Sequence, residues 1–359
     1  MSALFTPLTV RTTTFRNRLW VAPLCQYSVE KRDGVPHDWH LVHLGAFAMG
    51  GAGLVMTEAT AVTPVGRISP QDTGIWNDEQ ATAWARIVGF IRSQGAVAGI
   101  QLAHAGRKAS TWRHWPGELV GTVPADQGGW MPVAPSAIAF EGYVTPHELT
   151  TREIDAAVDD FAAAARRALG AGFQLLEIHA AHGYLLHEFL SPLSNTRVDE
   201  YGGSLENRAR LLLRVVAAVR EAAGADVPVL VRFSATDWVD AGWDPEQTTT
   251  VAGWAQAAGA DLFDISTGGL TVTQRIPLSP GYQVPFAEQV REQADVPVSA
   301  VGLITTAAQA EEVVASGRAD AVMMGRQMMR DPHFAWRAAH ELGVHVDYPP
   351  AYERARYRD

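Results

Sequence analysis

The sequence predicts an α/β protein folded as one (β/α)8 barrel of the TIM type, and three observations carry that expectation. Eight short apolar or β-branched runs recur along the 359 residues. Each leads into a segment with helical spacing. The runs are near-continuous in hydrophobicity, as expected of parallel strands buried on both faces. They fall at Leu19–Leu24, Leu54–Thr57, Ala98–Leu102, Leu175–His179, Val229–Phe233, Leu262–Ser266, Val298–Val301 and Ala321–Met324. Repeated βα units in this number favour the closed barrel over an open doubly wound sheet, which is the alternative arrangement.

The intervening helices carry their own start and stop signals. Thr150-Thr-Arg-Glu153 has the spacing of a capping box, and Ile154, Val158, Phe161, Ala165 and Leu169 follow at helical spacing up to Gly170 and Gly172. Thr305 and Thr306 open a second such run, through Ala310, Val313 and Val314, that stops at Gly317. One connection is too long for a plain loop. Residues 103–149, after the third strand, form an excursion that holds Trp112, Trp115, Trp130, Pro132 and Pro135. Long loops in compact domains are often lids or binding segments, and a packed surface excursion is the other reading. The whole chain, 1–359, reads as a single barrel domain with a tail at 345–359.

Composition narrows the function. The net charge of −10 argues against nucleic acid as the main partner, while leaving room for a small anionic ligand that needs only a local cation or two. A single cysteine, Cys25, excludes an internal disulfide and Cys-rich metal or iron–sulfur sites. The N-terminus lacks a basic segment followed by an apolar one, and no apolar run is long enough to span a membrane. A soluble protein of the cytoplasm is expected.

In these barrels chemistry sits at the C-terminal ends of the strands. The first strand ends at Pro23-Leu-Cys25-Gln-Tyr27, the second at Glu58-Ala59, the third at Gln101 leading to His104, and the fourth at His179-Ala-Ala-His182-Gly-Tyr184. The rest end at Arg232, at Ser266 with Gly268 and Gly269, at Gly302, and at Gly325-Arg326. The last two loops are the usual phosphate cradle, where glycine admits backbone approach and Arg326 adds a cation. No hydrolytic triad is apparent. His37, His40 and His43 are spaced to spread around a helix instead of converging on a metal, and His179 with His182 lacks a third ligand, so no metal is expected. Paired histidines facing a pocket suit a carbonyl or phenolate oxygen. Arg232, aimed into a barrel, demands an anionic partner, for which a reduced flavin ring would serve. Lys108 and Glu58 keep an aldolase or isomerase reading open. Cys25 keeps open a flavin-based redox sensor.

The segment from His179-Ala-Ala-His-Gly-Tyr-Leu-Leu-His-Glu-Phe-Leu-Ser-Pro-Leu-Ser-Asn195 through Arg197 and Asp199-Glu-Tyr-Gly-Gly-Ser-Leu-Glu-Asn-Arg208 resembles the Old Yellow Enzyme family. So do Gln101-Leu-Ala-His-Ala-Gly-Arg-Lys108, Ala134-Pro-Ser-Ala137 and Gly281-Tyr-Gln-Val284. Cys25, the paired histidines and Tyr352-Glu-Arg354 resemble its thermophilic-like subgroup. The resemblance implies FMN in the barrel and NAD(P)H-dependent reduction of activated C=C bonds. It implies that Ala22, Pro23, Leu24, Cys25, Ala59, Gln101, Arg232, Gly302, Gly325 and Arg326 hold FMN, with Gln101 on the pyrimidine edge, Arg232 near N1 and Cys25 near N5. It further implies that His179 and His182 hold the substrate's carbonyl oxygen, that Tyr184 donates the proton, and that Tyr27 lines the pocket. A homodimer or homotetramer with Arg354 shared across subunits is expected. The chain departs from the pattern at Leu24 and Gln26, in the long 112–130 stretch, and in the residues after Arg354. Asp199 to Ser204 reads as a structural turn.

Overall fold

The computed structural model describes residues 2–357. The chain opens with a hairpin of β1 (Leu8–Val10) and β2 (Thr13–Phe15), then enters the barrel with β3 (Leu19–Val21) and β4 (Leu54–Ala61), which α1 (Asp38–Met49) connects. α2 (Asp78–Ser93) leads to β5 (Val97–Ala103). The excursion contains β6 (Val133–Ala134) and β7 (His147–Glu148), and α3 (Thr151–Gly170) leads to β8 (Leu175–Ala180). After α4 (Leu185–Leu190) and α5 (Leu205–Ala223), β9 (Val229–Ser234), α6 (Pro245–Ala257), β10 (Leu262–Ser266), α7 (Val284–Ala294), β11 (Val298–Ala300), α8 (Ala307–Ala315) and β12 (Ala321–Met324) alternate. The short α9 (Arg326–Arg330) and α10 (Phe334–Glu341) complete the helices named here. The eight parallel strands close in the order β3-β4-β5-β8-β9-β10-β11-β12, with β12 pairing back onto β3.

All eight expected strands are present, with two corrections at their ends. β3 stops at Val21, three residues earlier than Leu24, so Ala22 to Cys25 lie in the loop above it. β4 runs past Thr57 to Ala61 through a register shift between Met56 and Ala59. That bulge has a local cause: the Thr57 and Thr60 hydroxyls both turn to the Glu58 carbonyl, which removes it from the ladder. The expected capping box is formed at Thr150 with Glu153, and a second one, not read in the sequence, opens α8 at Thr306 with Gln309.

Strand periodicity sorts the core into two parts. On β8, Leu176, Ile178 and Ala180 pack outward with the helices, whereas Leu175 belongs to an inner cluster with Trp20, Leu54, Val97, Leu230, Leu262 and Ala321. A period of two therefore turns Glu177 and His179 into the barrel as well. The interior is apolar where the strands begin and becomes polar toward their C-terminal ends. The hairpin, which the sequence reading missed, seals the apolar end: Phe15 joins the inner cluster and its ring sits 4.6 Å from that of Trp20.

The Trp-rich excursion packs over the loops that follow β3 and β4. Trp115 Nε1 donates to the Gln26 carbonyl at 3.1 Å, and Trp130 Nε1 donates to the Val65 carbonyl at 2.8 Å. Arg67 lies over the Trp130 ring at 4.8 Å. The tail ends in a 3₁₀ turn at Pro350–Ala355, where Tyr352 approaches His333 and Trp336 and Arg354 is exposed. The last two residues of the expected tail lie outside the described residues.

Phe15 is fully buried under the barrel. Phe15→Ala is expected to lower unfolding free energy by about 3–5 kcal/mol, as large-to-small changes in cores do, measured by urea denaturation.

Candidate active site

The loop after β3 is held in place by a carboxylate. Glu58, at the β4 bulge, accepts from the Gln26 backbone N–H at 2.9 Å through Oε2 and lies 3.2 Å from His40 Nε2 through Oε1. His40 in turn forms a capping box with His37 at the start of α1. These histidines and Glu58 are thus structural, and no metal-binding cluster of His, Cys, Asp or Glu occurs among the described residues. The loop brings Cys25 and Tyr27 into one apolar patch with Ala59, Ala103, Ala105, Ile68, Trp130 and Tyr184. Burial, with the carboxylates of Glu58 and Asp72 nearby, pushes the Cys25 thiol up and keeps it protonated.

The turn after β8 is strained and over-determined. His182 adopts φ +60°, a left-handed conformation uncommon for a side chain with a Cβ. Its N–H donates to Ser234 Oγ at 2.9 Å, and its carbonyl accepts from Lys108 Nζ at 2.8 Å. The same ammonium donates to the Gly269 carbonyl at 2.9 Å. A Cβ on Gly269 would meet His182 Cα at 2.6 Å, so only glycine lets the two loops touch. Lys108 is committed to clamping them, which answers the Schiff-base reading.

This clamp sets the histidines edge to face, with ring centroids 5.1 Å apart, and places Tyr184 at 5.0 Å from His179. His179 Nδ1 accepts the Ala181 N–H at 3.3 Å, which puts the ring's proton on Nε2. That nitrogen lies 3.4 Å from His182 Nδ1, and His182 Nε2 lies 2.8 Å from Ser266 Oγ. Burial, reinforced by Arg232, holds both imidazoles well below the ordinary histidine range, so both are neutral. Burial likewise keeps Tyr184 protonated.

Arg232 is buried, but its anionic partner differs from the one expected. Asp264 on the adjacent strand β10, directly opposite in register, lies 2.8 Å from Arg232 Nε and is steadied by Ser299 Oγ at 3.0 Å. The cation is therefore paired within the protein itself. Glu177 is buried in the same layer, and its Oε1 accepts from Gln101 Nε2 at 2.7 Å. Neither carboxylate was singled out in the sequence, because each sits inside an apolar run. The period-two offset from Leu175 and Leu262 was the signal that could have found them.

Next to this layer lies a cavity of about 240 Å³. Ala22, Pro23, Leu24, Arg232, Gly302, Gly325 and Arg326 all line it, so seven expected cofactor residues are brought together. Ser266, expected only as a strand end, lines it too, and so do Tyr282, Gln283 and Arg330, to which the sequence reading gave no site role. Gly302 has φ +127°, and a Cβ there would come within 2.9 Å of Gln283, so the backbone conformation and the close approach both require glycine. Three guanidiniums, polar side chains and an apolar floor of Met323 and Met324 fit a phosphorylated polyol carrying a flat ring.

A (β/α)8 barrel with an arginine- and glycine-lined cavity and two neutral histidines above a buried ion pair suits a flavin-type oxidoreductase. Residues 3–344 match the NADH:flavin oxidoreductase / NADH oxidase family, and the chain belongs to it. It is an FMN-dependent oxidoreductase of the Old Yellow Enzyme kind. The chain is 48% identical over 353 residues to an NADPH dehydrogenase of Bacillus velezensis, covering 98% of each. It is 48% identical over 356 residues to one from Listeria monocytogenes, covering 99% of each. Among solved structures, it matches the old yellow enzyme homologue from Zymomonas mobilis at TM-score 0.78 and 28% identity over 99% of both chains. Morphinone reductase aligns at TM-score 0.79 and 30% identity over 98% of this chain and 92% of that one.

An imidazole kept neutral by folding has a folded-state pKa below its unfolded value of about 6.5. Its stabilisation is complete above that value and is lost as pH falls toward the folded pKa. Stability is therefore expected to fall between pH 6.5 and 5, and to fall less in the H179Q/H182Q double variant. His43 and His104, held at about 4 by burial, supply the slope that remains. Urea titrations at the two pH values check this.

Proposed function

We propose that this chain is an NAD(P)H-dependent ene-reductase acting on activated C=C bonds of α,β-unsaturated carbonyl or nitro compounds. When bound, FMN supplies the hydride, which it takes from NAD(P)H and delivers from N5. The observation that carries the reading is the convergence of His179, His182 and Tyr184 at one strand end, with His179 edge to face with each of the other two at about 5 Å centroid separation.

The protein's part follows from the hydrogen bonds. His179 offers Nε2–H to a substrate carbonyl or nitro oxygen. His182 offers Nδ1–H to the same oxygen once the Ser266 hydroxyl, which donates to Gln283 Oε1 in this structure, turns to His182 Nε2. Two neutral donors stabilise negative charge developing on that oxygen without carrying a competing positive charge of their own. Tyr184, protonated at all working pH values, donates to the α-carbon as a weak acid. Tyr27 and Trp130 bound the apolar side on which the alkene rests. Ala22, Pro23, Leu24, Arg232, Gly302, Gly325 and Arg326 hold the flavin along the cavity, Gln101 its pyrimidine edge, and Ala59 and Cys25 its ring. Cys25, held as a thiol, adjusts the polarity around the ring instead of attacking it. A redox sensor switching on Cys25 is disfavoured for the same reason, since reactive cysteines are thiolates.

The test is anaerobic. FMN bands of the purified protein are expected to bleach with NADPH and return with 2-cyclohexenone. A protein that takes up no FMN would sink the proposal. Tyr184→Phe is expected to leave the NADPH step near wild type and slow the enone step by about 10²-fold or more, read by stopped-flow absorbance.

We also propose that the subunit pairs into a homo-oligomer in which Arg354, exposed in the tail, reaches the substrate end of a neighbouring site. Arg354→Ala is then expected to raise KM for the enone without altering the NADPH step. Unchanged steady-state kinetics would remove Arg354 from the site.

A further inference from the structure

Glu177 is fully buried inside the barrel, yet neither the cavity lining nor the donor pair accounts for it. It is expensive to keep there. Arg232, the guanidinium whose charge reaches it, is already paired with Asp264, so among the described residues Glu177 has no cation of its own. Burial and the repulsion of Asp264 raise its pKa, and its Oε2 has no hydrogen-bond partner among the described residues. What it does make is one short contact across the β5–β8 ladder, where Gln101 and Glu177 stand directly opposite: Oε1 accepts from Gln101 Nε2 at 2.7 Å.

An amide side chain is ambiguous, because its two ends are alike in shape and opposite in hydrogen-bonding sense. A carboxyl beside it removes the ambiguity. Oε1 of Glu177 is an acceptor whether the group is ionised or carries its proton on the other oxygen, so the NH2 of Gln101 is drawn to it. The Gln101 carbonyl oxygen is then the end left over. The Gln101 backbone is fixed as well, its N–H donating to Thr57 Oγ1 at 3.2 Å beside the β4 bulge. We propose that Glu177 is a positioning residue: it fixes the sense of the Gln101 amide, so that the cofactor's pyrimidine edge meets an acceptor and not a donor. The inference rests on the reading of Gln101 as a flavin contact. A flavin's N3–H is a donor, and a flipped amide would set NH2 against it, losing one hydrogen bond and opposing two donors.

Four proteins test this: wild type, Q101A, E177Q and the exchanged pair E177Q/Q101E. FMN affinity is read by fluorescence quenching on the apoprotein, the flavin midpoint potential by dye-coupled titration, and folding by thermal denaturation. Glu177→Gln keeps the shape but offers either end to Gln101, and is expected to weaken FMN about tenfold and shift the potential. The exchanged pair restores an amide–carboxyl contact between the strands, so its thermal stability is expected to return toward wild type. It also leaves a carboxyl oxygen, an acceptor, at the flavin edge, so FMN affinity is expected to rise above that of E177Q. Stability restored in the exchanged pair with FMN affinity no better than in E177Q, or wild-type affinity and potential in E177Q, would overturn the positioning role. Wild-type affinity in Q101A would instead remove the flavin contact on which the inference stands.

Discussion

The ion pair between Arg232 and Asp264 is the constraint around which the interior of this barrel is organised. Two charges enclosed by eight strands cost several kcal/mol each to desolvate, and only mutual pairing with further hydrogen bonds makes them tolerable. Strand register supplies the pairing by setting the two residues opposite each other on β9 and β10, with Ser299 of β11 completing the carboxylate's contacts. The field of that arginine reaches upward to His179 and His182, where it adds to burial in keeping both rings neutral. Neutral donors are what an oxygen gaining charge needs. An imidazolium would have been hydrated or paired elsewhere.

Around that layer, loops are fastened by groups of a chemistry common in catalysis. Glu58 ties the loop after β3 to α1 and so fixes where Cys25 and Tyr27 stand. Lys108 ties the turn at His182 to the loop at Gly269, compensating a left-handed histidine with two carbonyl contacts. The Trp-rich excursion packs its indoles onto the same loops. Loops carrying function are held most firmly where the scaffold beneath them is rigid. Here the clamps are ionisable groups diverted to backbone atoms.

The strand ends were legible because parallel barrel strands are short apolar runs followed by a polar residue, and Gln101, His179 and Arg232 each fit that form. The capping box at Thr150 and the helix start at Thr306 were legible because they are local. Glu177 and Asp264 were not, since one carboxylate inside an apolar run looks like noise until the alternation of inward and outward positions is known. The hairpin at residues 8–15 was hidden by its length, each strand spanning three residues whose only signal is the plug Phe15 makes under the barrel. Ser266 and Gln283 lie on separate elements and meet only through folding.

By itself the sequence determined the βα repeat, the count of strands, the strand ends that carry chemistry, and the family likeness, because each of these is written in residues close together along the chain. The tertiary structure decided which buried charge neutralises which, the tautomer of His179, the diversion of Lys108 and Glu58 to structural tasks, and the stance of the Gln101 amide. Those depend on the register between neighbouring strands and on contacts between residues far apart in the chain, and no local pattern encodes either.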